Sequence, residues 1–311
     1  MTSTTQREFF GHSASRPVNA ADEEARPAAL VRRRRRPVGK YVLNAVAVVF
    51  TLVWIFPIYW MLLTAVRPLG DSLTSHPSFL PWEGFSGVNF RTFLDDSFFW
   101  TAFRNSAVVV VLTVAIALFV GFLASIALGR HRFPGKRIAI VMVMIVQMTP
   151  MLAVLIPLYV IFSKVHMDDN LTGLIVAYLA VNLPFTIWTL RGFVAAIPVD
   201  LEEAAMVDGC SRFGAFRHVI LPLVVPGLIS TGIYVLIQTW NEFMMGNFLI
   251  NSNSHWTLPL YLNNFFGSAF KVVPYGEVMA LSLFMAAPVA VLFALVQGKV
   301  AAGMTAGAVK G

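Results

Sequence analysis

The chain has 311 residues, of which 57% are hydrophobic and only 13% are charged, and its formal net charge is +7. Soluble domains average about 25% charged residues, so this composition and a mean hydropathy of +0.72 exclude an ordinary soluble domain. We predict an all-α integral membrane protein, because the apolar runs have the length of transmembrane helices. The single cysteine, Cys210, excludes an internal disulfide and is expected to be a reduced, small packing residue.

Residues 1–40 form a polar tail rich in Ser, Thr, Ala, Pro and charge, without apolar periodicity. We predict that this tail is disordered, basic and cytoplasmic, and it has no cleavable signal pattern. Five arginines, 32–36, stand directly before the first apolar run. They suggest either a nucleic-acid-binding arm or a topology anchor against anionic lipid, and we favour the anchor and expect no nucleic-acid partner.

Six apolar stretches are long enough to cross a hydrocarbon core, which takes about 20 helical residues. We place these predicted spans, within a transmembrane domain of residues 41–300, at 41–65, 102–129, 138–163, 171–193, 221–249 and 276–298. Prolines interrupt most of them, at Pro57, Pro150, Pro157, Pro184, Pro226 and Pro288. Each proline removes a helix hydrogen bond, which fits either ordinary bending or helices that enclose a cavity of changing shape.

The distribution of basic residues predicts the orientation of the spans. Eighteen of the 23 Lys and Arg residues fall in the two termini, in the loop 130–137 and in the segment 198–220 counted together with Arg191 at the end of the fourth span, against five on the opposite side. Because cytoplasmic loops carry an excess of Lys and Arg, we predict that both termini are cytoplasmic, including a C-terminal tail at 301–311.

Residues 198–220 are the longest polar interruption between apolar spans after residue 101. Asp200, followed three residues later by Glu203, has the pattern of a capping box that starts a helix. Gly209 supplies a left-handed residue to end that helix, and Ser211 is placed to cap a second short helix. The pattern predicts a cytoplasmic helix-turn-helix hairpin, which could simply join two spans or could receive another protein.

Catalytic motifs are missing from the sequence. It contains no Gly-x-x-x-x-Gly-Lys-Ser/Thr motif and no His or Cys cluster with metal-ligand spacing, so we predict neither an enzyme nor a metal site. Within the spans, Glu242 is the main carboxylate, with Glu277 near a boundary. This scarcity of ionisable groups argues against a proton- or sodium-coupled carrier.

Neutral polar and aromatic residues do occur within the spans. Amides, hydroxyls and aromatic faces are what an uncharged, hydroxyl-rich solute requires, although such side chains also bond neighbouring helices together. The candidate substrate-path residues are Gln147, Tyr159, Asn182, Gln238, Trp240 and Asn241.

The hairpin resembles the EAA loop of binding-protein-dependent ABC importer permeases. The matching positions are Glu203-Ala204-Ala205, then Gly209 after three residues, Val219 after nine more, and Leu221-Pro222; Val219 departs from the usual isoleucine. The resemblance implies that the hairpin sits in a groove of a cytoplasmic ATPase dimer. The coupling residues would be Leu201, Glu202, Glu203, Ala204, Ala205, Asp208 and Gly209.

Two further segments narrow the resemblance. Residues 240–243, Trp-Asn-Glu-Phe, resemble a signature of carbohydrate importer permeases, and residues 303–311 resemble the tail of the second, maltose-type permease subunit. The resemblance implies a type I ABC importer permease fold in a bacterial or archaeal cell membrane. It also implies a second permease subunit and an extracytoplasmic sugar-binding protein as partners, with ATP and magnesium bound only by the ATPase.

The implied function is that of a membrane-spanning subunit of an ATP-driven sugar importer, which forms half of the translocation path. Two alternatives remain open from the sequence. One is a permease for another small polar solute, such as a polyol or a glycerol phosphodiester. The other is a channel or membrane scaffold that works without an ATPase.

Overall fold

A computed structural model describes the backbone of residues 37–68, 79–80, 84–266 and 273–308. The predicted tail 1–40 therefore lies almost entirely outside the described residues. In the described part the chain is helical and has no β-strand. The helices are α1 Pro37–Ala65, α2 Val88–Leu94, α3 Ser97–Arg130, α4 Lys136–Met148, α5 Met151–Lys164, α6 Leu171–Ala196, α7 Val199–Val207, α8 Arg212–Ala215, α9 Leu221–Trp240, α10 Met244–Leu249, α11 Leu258–Asn264 and α12 Tyr275–Ala308.

Five helices of the described part are long and apolar enough to cross a membrane, and a sixth span results if α4 and α5 count as one. The chain divides into two compact units at Ile55, so the first part of α1 belongs to one unit and the helices from Phe56 onward to the other. The predicted sixth span, 276–298, is the core of a longer helix that continues through part of the predicted C-terminal tail to Ala308.

Close approach of α3, α6 and α9 gives the second unit its centre. A Cβ on Gly121 of α3 would lie 2.5 Å from Thr186 Cγ2 on α6, and a Cβ on Gly227 of α9 would lie 2.5 Å from the Phe193 ring. Small residues at such crossings let helix backbones approach where lipid gives no hydrophobic driving force. These three helices therefore form a tightly packed scaffold.

The predicted third span, 138–163, is not one continuous helix. Helices α4 and α5 meet at an angle of 99° across Thr149 and Pro150. Thr149 is extended, with φ −71° and ψ 126°, and Pro150 lacks the N–H that would continue the ladder. The position of the break is thus set by the proline and by its restriction of the preceding residue.

The predicted fifth span, 221–249, was wrong at its end, because α9 stops at Trp240. The Asn241 side chain turns back and donates to Ile237 O at 2.9 Å. Glu242 then accepts the backbone N–H groups of Met245 at 2.8 Å and Gly246 at 3.3 Å, which starts the separate helix α10. The carboxylate therefore satisfies the first amides of a new helix instead of lying inside an old one.

The capping-box prediction at Asp200 was also wrong. The N-cap residue is Pro198, two residues before Asp200, so the helix begins at Val199, and no side-chain cap bond forms. Asp200 and Glu202 instead lie in the first turn, where negative charge is stabilised by the positive end of the helix dipole.

Candidate functional site: a surface hairpin and a cavity at a broken span

Helices α7 and α8 form a hairpin whose tip is a left-handed turn. Gly209 has φ +92°. Its N–H donates to Met206 O at 3.1 Å, and the next N–H, of Cys210, donates to Ala205 O at 3.0 Å. This pair of bonds is the Schellman arrangement that ends helices at glycine. Ser211 Oγ then accepts the N–H of Gly214 at 3.1 Å and caps α8, as the sequence predicted.

The outer face of the hairpin exposes large apolar side chains. Val207 is 87% exposed, Phe213 is 71% exposed and Leu201 is 46% exposed. The predicted coupling residues lie on this element: Glu203, Ala204, Asp208 and Gly209 are exposed, while Glu202 and Ala205 are half-buried. The face therefore combines uncovered apolar surface with several carboxylates, which suits a contact with another protein.

The base of the hairpin is anchored in the scaffold. After α8 the chain passes through a π-helical turn, Phe216–Ile220, directly into α9, so the predicted second hairpin helix and the fifth span are continuous. Ile220 is buried in a cluster with Phe122 of α3 and Val194 of α6. The ring of Phe216 lies 5.8 Å from that of Phe122. Displacement of the hairpin would therefore act on α3, α6 and α9 together.

A cavity of about 510 Å³ opens at the break between α4 and α5. Its walls also include α6 and α9. Three predicted substrate-path residues, Gln147, Asn182 and Gln238, line it together with Thr149, Phe185 and Tyr234. None of the lining side chains carries a charge at neutral pH. The sequence analysis predicted the three amide residues as part of the substrate path, but it did not predict the two aromatic residues.

The other three predicted path residues lie outside this cavity. Trp240 is buried in a core cluster, and its indole N–H donates to Met285 O at 2.9 Å. Asn241 lines a separate pocket of about 300 Å³ beside Phe243 and Met285. Tyr159 is 37% exposed on α5 and is not among the lining residues. The structure thus brings together half of the predicted set.

Asp169, in the loop between α5 and α6, clamps the segment that follows α10. Its carboxylate accepts the N–H groups of Asn251 at 2.9 Å and Ser252 at 2.8 Å, and the Ser252 hydroxyl. Its own N–H donates to Leu249 O at 2.7 Å. Burial alone would raise the pKa of Asp169, but these hydrogen bonds and nearby His255 outweigh it, so the pKa lies below its ordinary value.

The same segment is held from α3. Asn105 Nδ2 donates to Ser254 O at 2.9 Å and to Trp256 O at 3.0 Å, and Ser106 Oγ accepts the N–H of Leu258 at 2.7 Å. These hydrogen bonds from α3 position the backbone of the loop. Among the described residues, no cluster of His, Cys, Asp or Glu is arranged to hold a metal ion.

The helical spans, the surface hairpin and the interior cavity define a multi-span membrane transport component. Residues 119–302, which include the hairpin and the cavity, match the family described as binding-protein-dependent transport system inner membrane component. The chain belongs to this family.

Named relatives match over nearly the whole chain. It is 42% identical to the diacetylchitobiose uptake system permease protein DasC of Streptomyces coelicolor, over 89% of this chain and 100% of that protein. It is 33% identical to the trehalose transport system permease protein SugB of Mycobacterium tuberculosis, over 89% of this chain and 99% of that protein. These relatives confirm the resemblance drawn from the hairpin and the 240–243 segment.

The fold has a solved counterpart. A crystal structure of a bacterial ABC transporter involved in the import of the polysaccharide alginate contains a chain that superposes with a TM-score of 0.72 at 21% identity. The match covers 85% of this chain and 97% of that chain. The all-helical permease fold predicted from the sequence is therefore confirmed.

Proposed function

We propose that this chain is one of two membrane-spanning subunits of an ATP-driven carbohydrate importer. Membership in a binding-protein-dependent transport family supports the transport role. The substrate class is supported by the relatives named for uptake of diacetylchitobiose and trehalose. An extracytoplasmic binding protein delivers the sugar, and this chain with a second permease subunit forms the path across the cell membrane by alternating access.

The hairpin α7–α8 is the contact with a cytoplasmic ATPase dimer. The observation that carries this assignment is its two-sided construction: Leu201, Val207 and Phe213 are exposed, while Ile220 at the base is packed into the scaffold. A short helix with an apolar face inserts into a groove of a partner, and its carboxylates orient the contact. ATP and magnesium bind to the partner, and this chain transmits the movement.

This contact requires the hairpin and both termini to lie in the cytoplasm, as the excess of basic residues predicts. The loop held by Asp169 and Asn105 then lies on the opposite side, where the binding protein docks. A hairpin packed into the scaffold and a loop held by hydrogen bonds on the opposite side suit a subunit that relays a signal between partners on either side of the membrane.

The test is ATP hydrolysis by the complete complex in lipid, with and without sugar-loaded binding protein. Stimulation by the loaded binding protein is expected for the unaltered complex. Stimulation should be lost in Glu203→Lys, because a positive charge at this exposed position would repel the partner groups that the carboxylate is proposed to face. The matched control is Glu203→Asp, which keeps the negative charge at the same exposed position and should retain most of the stimulation. Normal stimulation of Glu203→Lys would contradict the role of the hairpin.

A further inference from the structure

The cavity at the broken span has the composition of a carbohydrate site. Its volume, about 510 Å³, lies within the range of about 300–1,000 Å³ for small-molecule pockets. Gln147 comes from α4, Asn182 from α6 and Gln238 from α9, so amides approach from three different helices. Separate spans that converge on one cavity allow a solute to be held and later released as the helices move.

The amide groups retain hydrogen-bonding capacity. Asn182 uses Nδ2 to bond Tyr178 O at 2.9 Å, which leaves its carbonyl oxygen as an acceptor. Gln238 uses Nε2 to bond the Tyr234 hydroxyl at 3.1 Å, which leaves its oxygen and one N–H. Each amide offers both donors and acceptors, as the hydroxyl groups of a sugar require.

The proline breaks alter the backbone hydrogen bonds at the same place. Ala180 lines the cavity, and the residue four positions later is Pro184, so the Ala180 carbonyl lacks its helical N–H donor. Val146 also lines the cavity, and its carbonyl accepts the N–H of Thr149 at 3.2 Å in place of the missing donor at Pro150. Interrupted helices at membrane depth are tolerated where they line a polar cavity.

An aromatic pair supplies the apolar part of the site. Phe185 and Tyr234 stack with ring centroids 3.9 Å apart and planes inclined by 29°, and both line the cavity. Tyr234 remains 40% exposed in this chain. A sugar ring presents apolar C–H faces as well as hydroxyls, and aromatic side chains complement those faces. The uncharged lining favours a neutral sugar over an anionic one.

We propose that this chain itself holds a neutral sugar ring during translocation, with Gln147, Asn182 and Gln238 bonding its hydroxyls and Phe185 and Tyr234 packing on its face. This proposal rests on the proposed function and assigns a substrate subsite to the permease subunit described here. The second permease subunit then closes the open side of the cavity.

The experiment uses the complete complex in ATP-loaded proteoliposomes, with radiolabelled diacetylchitobiose and trehalose as probes. Uptake and ATP hydrolysis are measured together for Gln147→Leu and Gln238→Leu, which remove the amides at similar volume. Each variant is expected to lower uptake per ATP hydrolysed by about three- to tenfold, the effect of one or two lost hydrogen bonds. Stimulation of ATP hydrolysis by the binding protein should persist, because the hairpin is unchanged.

Ser230→Ala is the matched control, because it removes a polar group from α9 outside the cavity. Its hydroxyl already donates to Pro226 O at 2.9 Å, so uptake per ATP should not change. Unaltered uptake in both glutamine variants would overturn the subsite. Loss of the second permease subunit from the purified variants would also overturn it, since these side chains would then belong to a packing interface. If the unaltered complex shows no stimulation of ATP hydrolysis by the loaded binding protein, the proposed function itself fails, and this outcome is distinct from failure of the subsite.

Discussion

Gly209→Pro is the perturbation that tests the hairpin most severely. Gly209 has φ +92°, whereas proline fixes φ at about −65°. Proline also lacks the N–H with which Gly209 donates to Met206 O. An incompatible proline costs about 3 kcal/mol or more, which lowers the population of the native turn by about a hundredfold. A Cβ at this position would meet no atom within 4 Å, so the damage stays within the turn.

The assay is retention of the ATPase subunits when the complex is purified in detergent, followed by stimulated ATP hydrolysis in lipid. Gly209→Pro should insert and remain folded but lose both properties. Gly209→Asn should keep most of them, since asparagine tolerates the left-handed conformation. Gly192→Ala, at another glycine with open space around it, controls for a simple gain of a methyl group. Retention and stimulation at the unaltered level in Gly209→Pro would refute the coupling argument.

Three other changes test the packing. Asp169→Asn should lower the melting temperature at pH 7. Because folding lowers the pKa of Asp169, the melting temperatures of the unaltered protein and the variant should differ most above about pH 4, and the difference should disappear as the pH falls through the pKa of the folded state. Gly173→Ala should lower it more than an ordinary helix substitution, since its Cβ would lie 1.8 Å from Met167 O; an unchanged value would show that the loop yields freely. Trp240→Phe removes the indole donor to Met285 O and should cost about 1–3 kcal/mol in denaturant unfolding, whereas no loss would mean that water replaces it.

The hairpin was largely predictable because its determinants are local. The left-handed turn at position 209 favours glycine, and the Ser211 hydroxyl caps the helix that follows, so local residues mark the end of one helix and the start of the next. The start of the first helix was not predictable in the same way. Asp200 and Glu203 have capping-box spacing, but the N-cap residue is Pro198 and the helix starts at Val199.

Breaks within the spans were harder to read from hydropathy. Residues 138–163 are mostly apolar, and a proline alone fits a gentle bend as well as the observed 99° angle. At the end of α9, hydropathy continues to Leu249, while the helix ends because Glu242 bonds the amides of α10. Both features depend on which backbone groups find partners, and a window of average hydropathy does not contain that information.

Half of the predicted substrate-path residues line the cavity. Amides in apolar spans stand out, and three of those predicted meet in one cavity. Phe185 and Tyr234 resemble ordinary lipid-facing aromatic residues, because only the packing of α6 against α9 brings their rings to 3.9 Å. Trp240 shows the opposite outcome: as an aromatic residue within a span it was predicted to line the path, but it is buried in the core and its indole N–H donates to Met285 O.

The most direct test of the account is uptake of radiolabelled diacetylchitobiose and trehalose into proteoliposomes that contain the complete complex and internal ATP. The account predicts accumulation of at least one sugar above its external concentration, only when ATP and the loaded binding protein are both present. It further predicts that Glu203→Lys abolishes this accumulation while the chain remains in the membrane. Equilibration of solute without ATP, or accumulation that persists in Glu203→Lys, would contradict an importer driven through the hairpin.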